Sequence, residues 1–151
     1  MARVLVIHGP NLNLLGTREP EIYGRESLED LNRRLQEEAE RLGVEVEILQ
    51  SNHEGEIVEA IQGARGGAAC IIINPAAFTH YSLAIREAIA ASGVPAIEVH
   101  LSNIYAREGF RRRSVVAPVA VGQITGFGTL GYMLALQAAS LIAGRAPGVK
   151  A

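Results

Sequence analysis

Apolar positions recur along this chain with two different periods. Short runs rich in β-branched residues fall at residues 3–8 (RVLVIH), 44–50 (VEVEILQ), 68–74 (AACIIIN), 96–101 (AIEVHL) and 119–124 (VAVGQI), each at the length of a strand. Between them the spacing is helical. Over residues 27–42, Leu28, Leu31, Leu35 and Leu42 line one face, with Ser27 placed as an N-cap and Gly43 just past the end as a stop. Residues 56–64, 82–91 and 129–143 predict three further helices.

Strands alternating with helices imply right-handed crossovers and a parallel sheet covered on both faces. The continuous apolar run Cys70 to Ile73 fits a strand buried on both sides, whereas VEVEIL alternates and belongs at an edge. The expected fold is α/β, a single-domain flavodoxin-like three-layer sandwich with a five-stranded parallel sheet in the order 2-1-3-4-5. In such sheets ligands bind beyond the carboxyl ends of the strands, near the switch in strand order. That rule brings together the polar groups after residue 8, at Asn74, and at His100 to Ser102.

The first of these groups is the most unusual. From His8 to Gly24 the sequence reads HGPNLNLLGTREPEIYG, a connection far longer than the two to six residues or so usual between a strand and a helix. It carries Asn11, Asn13, Arg18 and Tyr23, so it reads as a working loop rather than a connector.

Composition then narrows the chemistry. The 151 residues fit one domain spanning residues 1–151, with fraying expected in the last few. Fourteen basic and 16 acidic residues give a net charge of -2, which offers no case for nucleic acid or an anionic membrane as partner. Cys70, the sole cysteine, sits in an apolar run and fits inert core packing in a reducing compartment. The opening MARVLVIHG is too short an apolar run for a signal peptide, and no stretch reaches membrane-spanning length, so a soluble cytoplasmic protein is expected.

Several reaction classes drop out by counting. The only lysine, Lys150, lies at the end of the chain, which removes imine chemistry. The histidines His8, His53, His80 and His100 are scattered without a metal-ligand spacing, so no metal and no cofactor is expected. The sole aspartate, Asp30, reads as a charge in the first turn of a helix. GFGTLG at residues 126–131 matches a dinucleotide fingerprint, but no acidic residue follows it. It reads instead as a tight turn into a closely packed last helix.

What remains suits proton transfer on an anionic, oxygen-rich small molecule. Tyr23 can act as a base if a cation such as Arg18 favours its phenolate. His100 ends a strand and is the natural general acid, with Glu98 two residues back on the same face to fix its tautomer. Arg107 and Arg111, four apart, would share one face of a helical segment, while Arg112 and Arg113 equally fit a solvated basic face. Asn74 is either a cap before Pro75 or a ligand contact, and His80 either caps a helix or reaches a ligand hydroxyl.

The blocks GPNLNLLGTREPEIYG, INPAAFTHYSLAIREAI, EVHLSN and AREGFRR, in this order and followed by the glycine-rich turn and last helix, resemble the type II 3-dehydroquinate dehydratases across essentially the whole chain. The resemblance implies that Tyr23 removes a proton from C2 of 3-dehydroquinate, with Arg18 stabilising the charged tyrosine or the transition state. Asn11 would help stabilise an enolate through a bound water. His100 would then protonate the departing C1 hydroxyl, giving a trans elimination to 3-dehydroshikimate without a cofactor. Asn74, His80, Leu101, Ser102 and Arg111 match the family's substrate contacts, and Arg107 matches an arginine near the tyrosine. The resemblance further implies a homododecamer built as a tetramer of trimers.

Two positions depart from the family pattern. Glu87 stands where the family usually has an aspartate serving the neighbouring subunit's site, and Ala76 stands where it often has glycine. Three other readings compete. The same reaction can serve quinate catabolism rather than aromatic amino acid biosynthesis, the base and acid can serve a different hydro-lyase or enolising isomerase, or the fold can be a non-catalytic flavodoxin-like binding module.

Overall fold

The computed structural model describes residues 1–17, 20–23 and 25–144, with residues 22 and 23 described by their backbone alone. Strands β1 (Arg3–His8), β2 (Glu45–Gln50), β3 (Cys70–Asn74), β4 (Ala96–His100) and β5 (Gly122–Thr125) form one sheet. All neighbours pair in parallel in the order β2-β1-β3-β4-β5, as the sequence pattern predicts.

The helices are α1 (Pro20–Tyr23), α2 (Leu28–Leu42), α3 (Glu54–Ala64), α4 (Leu83–Ser92), α5 (Gly109–Arg112) and α6 (Leu130–Ala143). They cover both faces. Val4, Val6, Cys70, Ile72, Ile97 and Val99 pack under Leu31 and Leu35 of α2 and Leu136 of α6. The alternate residues Leu5, Ile7, Ile71 and Ile73 pack under Ile57 and Ile61 of α3 and Ile85 and Ile89 of α4. All five residues of β3 are buried, and each isoleucine withdrawn from water contributes roughly 1.5–3 kcal/mol. Strand β2 lies at the edge, which explains its alternating sequence. Burial pushes the Cys70 thiol up to about 12, in keeping with inert core packing.

Helix α2 begins and ends where its sequence signals place it. The Ser27 hydroxyl accepts from the Asp30 backbone N–H and the Asp30 carboxylate accepts from the Ser27 N–H, so the first-turn aspartate also closes a capping box. Gly43 ends the helix in the left-handed region at φ 74°. Other boundaries move. Strand β5 starts at Gly122 because residues 117–119 form a 3-10 turn around Pro118. Strand β3 starts at Cys70 because the Ala68 N–H still bonds back to Ala64 at the end of α3. Helix α3 starts two residues early, at Glu54, where the Ser51 hydroxyl bridges the His53 N–H and Glu56.

The glycine-rich segment is the tight turn expected. Gly126 takes φ 103°, and a Cβ on Gly131 would meet Ile124 and Val99 at 3.4 Å, so α6 docks directly on the sheet. Lys150 and the terminal residues expected to fray lie outside the described residues. No helix among the described residues is long and apolar enough to cross a membrane.

Candidate active site

Strand β4 delivers the central pair. Glu98 and His100 are two residues apart and share one face of the sheet, and both are buried. His100 Nε2 lies 2.5 Å from Glu98 Oε2. The remaining lone pairs of Glu98 accept from the Thr79 hydroxyl and from the Ser114 hydroxyl at 2.8 Å. Burial alone would push this carboxyl up, but the hydrogen bond and charge of His100, with Thr79 and Ser114, outweigh it and hold Glu98 below the ordinary carboxylate value. A carboxylate kept anionic binds the Nε2–H and leaves Nδ1 as the ring nitrogen for a ligand. The sequence pairs Glu98 with His100; it gives no local sign of Thr79 and Ser114, which reach the carboxylate from 19 and 16 residues away.

A cavity of about 360 Å³ opens beyond the carboxyl ends of the strands, where the topology rule places it. His100 lines it, together with Asn11, Asn74, His80, Leu101, Ser102, Arg107 and Arg111. Among the described residues that lining holds two arginines and no carboxylate, which favours an anionic ligand.

Each wall has a local cause. Asn74 ends β3, and its side-chain oxygen accepts from the Ala76 N–H at 3.0 Å, so its cap role and its place in the cavity coexist. To present that N–H, Ala76 takes φ 53°, a left-handed conformation that costs an L-residue roughly 1–2 kcal/mol and explains why glycine suits the position. Gly9 lies so close beneath this turn that a Cβ would come within 2.7 Å of the Asn74 carbonyl. Asn11 also takes a left-handed φ, 70°, and its N–H donates to the Asn52 side chain at 2.9 Å. Gln50 supports the same turn by donating to Asn52 and to the Gly9 carbonyl.

His80 donates from Nδ1 to the Arg113 carbonyl at 2.7 Å, which leaves Nε2 as an acceptor for a ligand hydroxyl. Leu101 and Ser102 are held from behind, since the Leu101 carbonyl accepts from Gly128 and the Ser102 carbonyl from the Thr125 hydroxyl, both at 2.9 Å. Arg107 and Arg111 reach one cavity by a route other than a shared helix face. Arg107 is extended after the 3-10 turn at residues 104–106, and only Arg111 lies within α5. Of the other two arginines, Arg113 contributes its carbonyl to His80, and both are solvent-exposed.

Glu87 sits on the exposed side of α4 and does not line the cavity; Asn13 is exposed and also stands apart from it. Arg18 lies outside the described residues. Tyr23 ends α1, and its side chain likewise falls outside the description.

Similarity to known proteins extends over most of the chain. The sequence pattern of the family described as dehydroquinase class II matches residues 2–140. A 3-dehydroquinate dehydratase of Desulforudis audaxviator is 61% identical over 137 residues, covering 91% of each chain. One of Halothermothrix orenii is 59% identical over 138 residues, covering 91% of this chain and 93% of its own. The crystal structure of type II dehydroquinase from Propionibacterium acnes superposes with a TM-score of 0.90 at 44% identity, over 93% of this chain and 97% of that one.

Proposed function

This chain belongs to the dehydroquinase class II family, and on that premise we propose that its cleft removes water from 3-dehydroquinate to give 3-dehydroshikimate, as a cofactor-independent hydro-lyase of the shikimate pathway. The observation that carries the reading is the buried Glu98–His100 pair opening onto a cavity whose described lining holds two arginines and no carboxylate. The substrate is a carboxylate with several hydroxyls. Arg107 and Arg111 supply the positive field, while Asn74, His80 and Ser102 supply partners for its oxygens.

The chemistry divides between two groups. A proton on the carbon beside a ketone is weakly acidic, so its removal needs a base at carbon and stabilisation of the oxyanion that develops. In this reading Tyr23, made basic by Arg18, takes the C2 proton, and Asn11 steadies the enolate through a bound water. As the enolate collapses, the C1–O bond breaks and His100 gives its proton to the departing hydroxyl, which leaves as water. Glu98 then faces a neutral imidazole ready to be reprotonated. Closure of the loop carrying Arg18 and Tyr23 would exclude water from the step.

We further read residues 1–151 as one catalytic domain of a cytoplasmic homododecamer, four trimers in which Glu87 serves a neighbouring site. An exposed side on α4 suits that role for Glu87. Val121, just before β5, and Leu134 and Leu141 of α6 are exposed apolar side chains that subunit contact would cover. Dissociation on dilution should then raise the Michaelis constant, and active monomers with an unchanged constant would refute the shared site.

The direct test mixes purified protein with 3-dehydroquinate, chelator present, and follows the conjugated enone by ultraviolet absorbance. Turnover abolished in Tyr23→Phe and His100→Ala is the expected result. Binding without turnover in the unmodified protein would point to a binding module instead.

A further inference from the structure

Between α5 and β5 the chain lies against the 3-10 turn Ala76–His80 through three consecutive residues. The Arg113 carbonyl accepts from His80 Nδ1 at 2.7 Å, the Ser114 hydroxyl oxygen stands 3.1 Å from that of Thr79, and the Val115 N–H donates to the Thr79 carbonyl at 2.8 Å. One strap thus holds His80 directly and His100 through Glu98. His8 belongs to a separate buried cluster on the face covered by α2 and α6, 2.8 Å from Asn32 and 2.9 Å from the Tyr132 hydroxyl, and does not line the cavity.

The hydrogen-bond directions around Glu98 are forced. A carboxylate can only accept, so the single hydrogens of Thr79 and Ser114 both point at it. The Ser114 oxygen accepts from the Ala117 N–H at 2.9 Å, which fixes the way its hydroxyl faces. Each donor lowers the basicity of the carboxylate that also binds His100 Nε2 at 2.5 Å. With fewer donors, Glu98 would stabilise the imidazolium more strongly and make it a weaker acid.

We propose that Ser114 and Thr79 are positioning residues that set the acid strength of His100, sharing the charge of Glu98 so that the imidazolium can protonate the departing hydroxyl. The inference rests on the dehydratase reading, and extends it to two side chains outside the cavity lining. Among the described residues, the charged or titratable groups around the pair are His80 from the 3-10 turn, Arg107 and Arg111 across the cavity, and Arg86 of α4, which reaches the Val115 carbonyl at 3.4 Å. None of these is altered by a change at Ser114 or Thr79. A purely structural pair would affect folding and leave the pH profile in place.

The test follows kcat for 3-dehydroquinate against pH. Ser114→Ala, and Thr79→Val, which removes a hydroxyl with little change of shape, should each move the alkaline limb, where His100 loses its proton, upward by about half a pH unit or more. Each should also lower kcat at neutral pH about threefold with KM little changed. Thr79→Ser restores the hydroxyl and should return the limb to its wild-type position. Nitrogen NMR titration of His100 in the free protein, assigned with His100→Asn, should show the same displacement without turnover. Either variant carries the test if the other does not fold. A limb and a His100 titration unmoved in the folded variants, or moved equally by Thr79→Ser, overturn the inference alone. Wild type inert toward 3-dehydroquinate overturns the functional reading and the inference with it.

Discussion

Glu98 has no solvent contact and accepts from three side chains, so its charge is held by Thr79, Ser114 and His100 together. Replacing it with glutamine keeps the shape and removes the charge. An amide facing Nε2 no longer stabilises the imidazolium that must donate, so Glu98→Gln should lower kcat by about a hundredfold or more with KM little changed. Steady-state rates checked against circular dichroism of the folded variant would measure this. Ala76 offers the opposite case. Relief of its left-handed strain, less the added freedom of an unfolded glycine, predicts that Ala76→Gly stabilises the protein by about 0.5–1 kcal/mol in urea titrations. The Glu98–His100 pair was legible because strand alternation is a local rule. Thr79, Ser114 and Tyr132 were not, since each meets its partner across a distance in sequence that no short pattern encodes.

Elements were legible in proportion to how much of their signal is local. Helix α2 carries its cap, its apolar face and its stop within one segment, and its limits match the sequence reading. Losing the Ser27 hydroxyl opens the capping box, so Ser27→Ala should cost about 1 kcal/mol of stability, measurable by thermal or chemical unfolding. Strand β5 is the counterexample. Its valine-rich approach reads as extended, yet Pro118 and the bonds of Val119 and Ala120 back to Val116 curl it into a turn before the ladder with β4 begins. The arginines after β4 show the same limit. Their spacing of four suggested one helix face, but the cavity gathers Arg107 and Arg111 by folding a 3-10 turn against a single helical turn.

At the scale of the molecule, the sheet order and the site's place at its carboxyl edge followed from the alternation of periods. The buried histidine adds a property of the whole fold. His8 falls from 6.5 to about 4 on folding, so between these values the unfolded chain takes up a proton that the native one refuses. Acid therefore favours unfolding across that window, with a loss of about 3 kcal/mol complete near pH 4. Glu98, also lowered in the fold, adds a loss of the same sign as pH falls through its own range. Urea titrations from pH 7 to 4 should show a shallower decline in His8→Asn than in the parent. An equal decline in both would show that another group governs acid unfolding.

The bond between His8 and Tyr132 spans 124 positions of the chain. A polypeptide emerging from the ribosome therefore exposes its first strand long before the residue that will complete the cluster behind the cleft has been synthesised. Competence is reserved for the finished product: fragments ending before α6 lack both the helix that covers one face of the sheet and the hydroxyl that meets His8, so shortened translation products should be idle rather than wrongly active.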